Sequence, residues 1–171
     1  MIVSSKVSAL WLDVPANILD QLGESLGRRR QVTVFFRADD VAIPSAKQDQ
    51  LLELFTRHDA PLCPAIVPAW LNQARWASIC RQVHGKHHLF AWHQHGWNHQ
   101  NHEPSGKKQE FCPGAEYAQK RRNILRGRDK LVAILGEHLQ PVFTPPWNRL
   151  DLETMHILKE LGFTAMSRYR D

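Results

Sequence analysis

At 171 residues the chain has the length of one domain, and 43% hydrophobic residues suffice for a core. The formal charge of +5 comes largely from Arg28-Arg29-Arg30 and the stretch from Lys107 to Arg128. Those basic residues do not alternate with aromatics as a single-strand binder requires, so a solvated face is favoured over a nucleic-acid interface. No run reaches the roughly 18 apolar residues of a membrane span, and no secretory leader opens the chain, which gives a cytoplasmic, non-membrane expectation.

Three cysteines, Cys63, Cys80 and Cys112, are odd in number and widely spaced. That pattern excludes a paired-cysteine zinc site and an even disulfide framework, leaving reduced, mostly buried thiols.

In chain order, Pro15 to Gly27 predicts a short amphipathic helix through Ile18, Leu19, Leu22 and Leu26, and Val32–Phe36 a first strand. Ser45 caps a helix reaching about His58, with Leu51, Leu52, Leu54 and Phe55 inward. A second strand spans Leu62–Val67 between Pro61 and Pro68, and Trp70 to Val83 has helical spacing. His88–Trp92 reads as a third strand leading into a histidine cluster. His93 to Pro113 is long, polar and aperiodic, as functional or mobile loops are. Ala115 to His138 gives the longest helix, Pro141–Phe143 a fourth strand, Leu152–Leu161 a helix ending at Gly162, and Phe163–Ser167 a fifth strand. Alternating strands and helices predict an α/β fold, a parallel sheet or barrel with outer helices. The chemistry-bearing residues follow strands one, three and four, the edge where such folds place their sites.

Asp39-Asp40 ends the first apolar run. Adjacent carboxylates repel unless a cation balances them, although a solvated turn also explains such a pair. His93, His95, His99 and His102 fall within ten positions. His95 and His99 are four apart, so one helical turn would bring both rings to one side, with His102 continuing that face. Gly96 permits a tight turn or a close backbone approach. A carboxylate with two imidazoles is a first-row metal set, and three-ligand zinc sites keep a position open for water. Thr144-Pro145-Pro146-Trp147-Asn148-Arg149 closes the fourth strand. Prolines lack N–H groups, so the first free backbone donors there belong to Trp147 and Asn148. A rigid loop presenting such a donor suits an oxyanion, and a plain Pro-Pro turn is the simpler account. Trp70, Trp92 and Trp97 are either core aromatics or sugar-stacking platforms.

These three segments together resemble the polysaccharide deacetylases, the NodB-homology or carbohydrate esterase family 4 enzymes, from about Val32 to Ser167. The resemblance implies an irregular (β/α)7 barrel in a single domain over 1–171 that lacks the C-terminal part of the barrel. It implies a hydrolase acting on the C–N bond of a linear amide, removing acetyl from N-acetylated sugars with Zn2+ or another divalent transition metal. Asp39 would be the general base, Asp40, His95 and His99 the metal ligands, and the Trp147 N–H the oxyanion donor. Trp97, Pro146, Asn148 and Arg149 would line the sugar site. Gly96 stands where the family has Ser or Thr. Thr144 stands where it has an arginine beside the base, a place Arg37 or Arg149 would fill. The Leu-x-His segment that supplies the general acid has no counterpart before Asp171, and His156 falls mid-helix. His93 or His102 would have to substitute. The alternatives are a non-catalytic metal- or glycan-binding remnant and a basic nucleic-acid binder. A sheet of about five strands with an open edge also predicts association with a second copy.

Overall fold

The computed structural model describes residues 33–168 continuously and, before them, Asn17, Asp20, Gln21, Gly23, Glu24, Gly27 and Gln31. Contacts divide the chain into Met1–Val34 and Phe35–Asp171. In the first unit Asp20, Gln21, Gly23 and Glu24 are helical, while the remainder of the helix expected from Pro15 to Gly27 lies outside the described residues. All elements below belong to the second unit.

Five parallel strands follow one another in chain order: β1 (Arg37–Val41), β2 (Cys63–Ile66), β3 (Trp92–His95), β4 (Leu139–Thr144) and β5 (Ala165–Met166). Between them run α1 (Ala46–Arg57), α2 (Gln73–Gln82), α3 (Tyr117–Leu135) and α4 (Leu152–Glu160). Strand order equal to chain order means every crossover advances the same way, and right-handed crossovers then put all helices on one face. The other face is left to curl. In a flat sheet β1 and β5 would lie roughly 19 Å apart at the usual strand spacing. Instead the Arg37 guanidinium donates to Ser167 Oγ, just past β5, at 2.8 Å. The sheet is therefore a curled barrel segment whose two ends are joined through side chains.

Local signals set the helix ends. Ser45 Oγ accepts from Gln48 N, Asn72 Oδ1 from Arg75 N and Asp151 Oδ1 from Thr154 N, three side-chain N-caps. The outer sheet face carries the apolar residues. Val41, Ile66 and Trp92 pack with Leu52, Trp76, Ile79, Leu131 and Leu135. Phe143 packs with Phe111, Ile124, Ile157, Leu158 and Leu161. Trp92 is wholly buried against Trp76 and Phe90, so of its two readings the core one holds. Leu54, expected inward, is 49% exposed. Cys63 and Cys80 are half-buried and only Cys112 is buried; all three are free thiols.

Two strands lie further along the chain than the apolar runs suggest. Thr33–Phe36 forms no strand, and Phe35 and Phe36 are exposed. β1 instead starts at Arg37, which pairs with Cys63, because the partner ladder on β2 begins only there. Likewise His87–Leu89 is a 3-10 turn and β3 occupies Trp92–His95. The acidic pair and two of the histidines are thus within strands, not behind them. Alternation turns Arg37, Asp39, His93, His95 and Thr144 toward the concave face.

Candidate metal centre and its surroundings

A regular strand would send Asp39 and Asp40 to opposite faces. The ladder is irregular between Ala38 and Val41, and Asp40 has φ 61°, so a bulge turns its carboxylate back over the strand end. Asp40 Oδ1 then lies 3.4 Å from His95 Nε2 and 3.3 Å from His99 Nε2. The three ligand atoms all fall within 4.8 Å of one another.

His95 and His99 do not meet through a helical turn. His95 ends β3, and the chain reverses through Gly96 at φ 58° to reach His99 at φ 56°. Trp147 and Asn148 also have positive φ, 54° and 58°. Such backbone persists only where its surroundings over-determine it, and it gathers at functional sites.

The donor set fits a divalent cation. His95 Nδ1 lies 2.9 Å from the Thr144 carbonyl, which only accepts, so Nδ1 carries the proton and Nε2 of the neutral ring offers a lone pair. That lone pair faces a carboxylate oxygen, an arrangement that needs a proton or a cation between them. With the proton present, the His95 hydrogen bond holds the Asp40 carboxyl below its ordinary value, outweighing partial burial. Burial also pushes the His99 imidazole down, toward the neutral form a metal requires.

Asp39 is not in this set. Arg37 grips it in a fork, Nε to Oδ1 at 2.8 Å and Nη2 to Oδ2 at 3.1 Å. The same guanidinium donates to Asn148 Oδ1 at 2.6 Å. Of the two arginines considered as partners of Asp39, Arg37 holds it, while Arg149 reaches the Lys108 carbonyl at 3.4 Å. Thr144 Oγ1 instead meets His93 Nε2 at 2.9 Å, and His93 Nδ1 meets the Ala91 carbonyl at 2.8 Å. Both His93 nitrogens are thereby engaged, and burial pushes that imidazole down as well. His102 is exposed, with Nδ1 on the Glu110 carbonyl, and it stands outside the metal set.

Of the two backbone donors expected in the Pro-Pro loop, Asn148 N is taken by the Pro145 carbonyl at 2.9 Å. The Trp147 ring lies 4.2 Å from the His99 ring and Trp70 5.8 Å from it. Trp97 carries the Arg126 guanidinium 4.5 Å above its ring, and Pro146 is buried. Sequence reading missed Gln94 and Glu110. Gln94 is buried and donates to the Gly96 and Ile124 carbonyls at 2.9 and 3.0 Å. Glu110 is 1% exposed and accepts from Trp97 N, Asn98 N and His99 N. Burial pushes its carboxyl up against the pull of those three donors. Neither residue carries a spacing signal, because each acts on backbone.

A curled parallel α/β sheet with two histidines and a carboxylate converging at its C-terminal edge defines a fold with a metal-competent centre. The sequence model described as polysaccharide deacetylase matches residues 27–166, and the chain belongs to that family. Solved structures share the fold. IcaB of Ammonifex degensii superposes with TM-score 0.64 at 16% identity, over 80% of this chain and 60% of that one. A family 4 carbohydrate esterase of Streptomyces lividans, in complex with acetate, gives 0.57 at 18%, over 77% and 60%. A CE4 family pseudoenzyme of Bacillus anthracis gives 0.55 at 12%, over 77% and 42%. This chain thus spans about 60% of the length of the first two. No curated protein matches its sequence. Among the described residues no helix is long and apolar enough to cross a membrane.

Proposed function

We propose that this chain is a zinc-type hydrolase that removes acetyl from N-acetylated sugars. The observation that carries the reading is the convergence of Asp40, His95 and His99 beside a second carboxylate, Asp39, which Arg37 holds apart from them. A divalent metal held there would polarise the acetyl carbonyl and acidify a water. Asp39 would take the proton of the attacking water, its carboxylate kept oriented by the two-point grip of Arg37. The Trp147 N–H, on a loop stiffened by two prolines, would donate to the carbonyl oxygen as charge develops on it. Of the residues expected at the sugar site, Trp97 and Arg149 would border the sugar, while Pro146, which is buried, and Asn148, whose Oδ1 accepts from Arg37, would act from behind.

The leaving amine must also gain a proton. His93 cannot deliver one, being buried with both nitrogens bonded. His102 donates Nδ1–H to the Glu110 carbonyl and keeps Nε2 on an exposed ring. There it can take up a proton from solvent and pass it to the amine, and it is the donor we assign. A second reading, a metal- or glycan-binding relative without turnover, is supported by the place of His102 outside the group of Asp40, His95 and His99. Acetate release from chitooligosaccharides, with and without zinc, separates the two. Zinc titration of wild type, His95→Ala and His99→Ala tests the site they share. Unchanged zinc occupancy in both variants refutes the ligand set.

A further inference from the structure

We propose that Glu110 is the positioning residue for His99, and that residue 96 is glycine because the Glu110 carboxylate occupies the space a side chain would fill. The inference rests on the reading of His99 as a metal ligand. Glu110 Oε1 accepts from Trp97 N at 2.9 Å and Asn98 N at 3.0 Å, and Oε2 accepts from His99 N at 3.1 Å. Three consecutive N–H groups can point at one carboxylate only when the backbone wraps around it, as in an anion-binding nest. Here the anion is part of the chain.

The grip fixes the backbone that carries His99, which has a left-handed φ of 56° that no glycine relieves. The other wall of the turn is Pro146. A Cβ on residue 96 would lie 2.3 Å from Glu110 Oε2 and 2.5 Å from Pro146 Cγ, distances that side chains do not tolerate. The turn is thus clamped between a buried carboxylate and the proline loop that presents Trp147. A serine or threonine at 96 would have to displace one wall or the other. Glu110 itself touches no ligand atom. It acts by holding the Trp97–His99 backbone, and so the His99 ring, where Asp40 and His95 converge.

The test uses the whole chain with zinc alone as the probe. Glu110→Gln puts an amide NH2 where an acceptor is needed, facing a backbone N–H. It is expected to lower zinc affinity about 10–100-fold, the range for lost outer-shell support, and to speed amide exchange at Trp97, Asn98 and His99. Gly96→Ala, which keeps Glu110 but forces its carboxylate aside, is expected to lose affinity similarly. Leu158→Ala, in the apolar cluster away from the loop, lowers stability and is expected to keep wild-type zinc affinity. Wild-type affinity in either loop variant, or an equal loss in Leu158→Ala, overturns the proposal. If wild type takes up no zinc the metal reading fails, and amide exchange still decides the anchor. Unchanged protection of the three amides in Glu110→Gln overturns it.

Discussion

Replacing Gly127 with alanine sets helix propensity against packing. In the middle of α3, glycine is about 1 kcal/mol less favourable than alanine, so the helix alone would be strengthened. The structure demands the opposite outcome. A Cβ at 127 would lie 2.4 Å from Gln94 Nε2 and 3.1 Å from Pro68 Cγ. Gln94 is 1% exposed, so its amide has no solvent to swing into. Moving it breaks the bonds to Gly96 O and Ile124 O, worth about 1 kcal/mol each. The crowding adds about 1–3 kcal/mol. After the propensity gain, Gly127→Ala is expected to destabilise by about 3 kcal/mol. For a chain of this size that lowers Tm by about 6–12 °C, read by circular dichroism with urea unfolding as the check on ΔΔG. Because Gln94 also holds the first carbonyl of the metal loop, zinc affinity should fall with stability. A Tm equal to or above wild type would show that α3 does not sit this close to β3, and would refute the reasoning.

Asp39→Asn is expected to keep zinc affinity and lose about 10²–10⁴-fold in acetate release, as removal of a general base does; wild-type turnover would move that role elsewhere. Arg37→Lys keeps the charge but not the fork, and is expected to cut turnover about 10²-fold with zinc affinity unchanged; unaltered kcat would make Arg37 structural only. Lys120, 2% exposed, pairs with Asp151 at 2.6 Å and with Glu153, so Lys120→Met should lose about 3 kcal/mol at pH 7 by stranding Asp151. Burial pushes Asp151 up, but Lys120 and Thr154 outweigh it and hold the carboxyl below 3.8; its stability is present above that value and lost as pH falls through the lower folded one. Burial pushes Lys120 down, its two carboxylates outweigh that and raise it, so its share is lost only as pH rises past 10.5. Acid titration of urea stability should therefore flatten in Lys120→Met, and an unchanged profile would remove the pair from the account. The chain is expected to self-associate, since each of β1 and β5 has one unpaired side among the described residues; a monodisperse monomer by light scattering would refute this.

The sequence by itself determined the alternation of strand and helix, the capped helix at Ser45, and the residue types of a metal-competent set, while the choice of Asp40, His95 and His99 within that set came from the family resemblance. The first three follow from local chemistry: apolar periodicity, a cap residue and a donor set whose types suit a cation. It misplaced β1 and β3, because apolar runs such as Val32–Phe36 attract the strand assignment while the true strands carry Arg37, Asp39, His93 and His95. Polar residues can line a barrel interior only when they satisfy one another, and their partners lie far along the chain. Thr144 serves His93 and Ser167 serves Arg37, contacts that no local pattern announces. The same reason hid the route by which Asp40, His95 and His99 meet. A four-residue spacing suggested a helix, whereas a bulge at Asp40 and a clamped turn at Gly96 do the work. Only the tertiary structure showed Arg37, not Arg149, holding Asp39, and exposed Glu110. Both depend on which side chains and backbone amides converge in space, and that is set by how the sheet curls, not by neighbours in sequence.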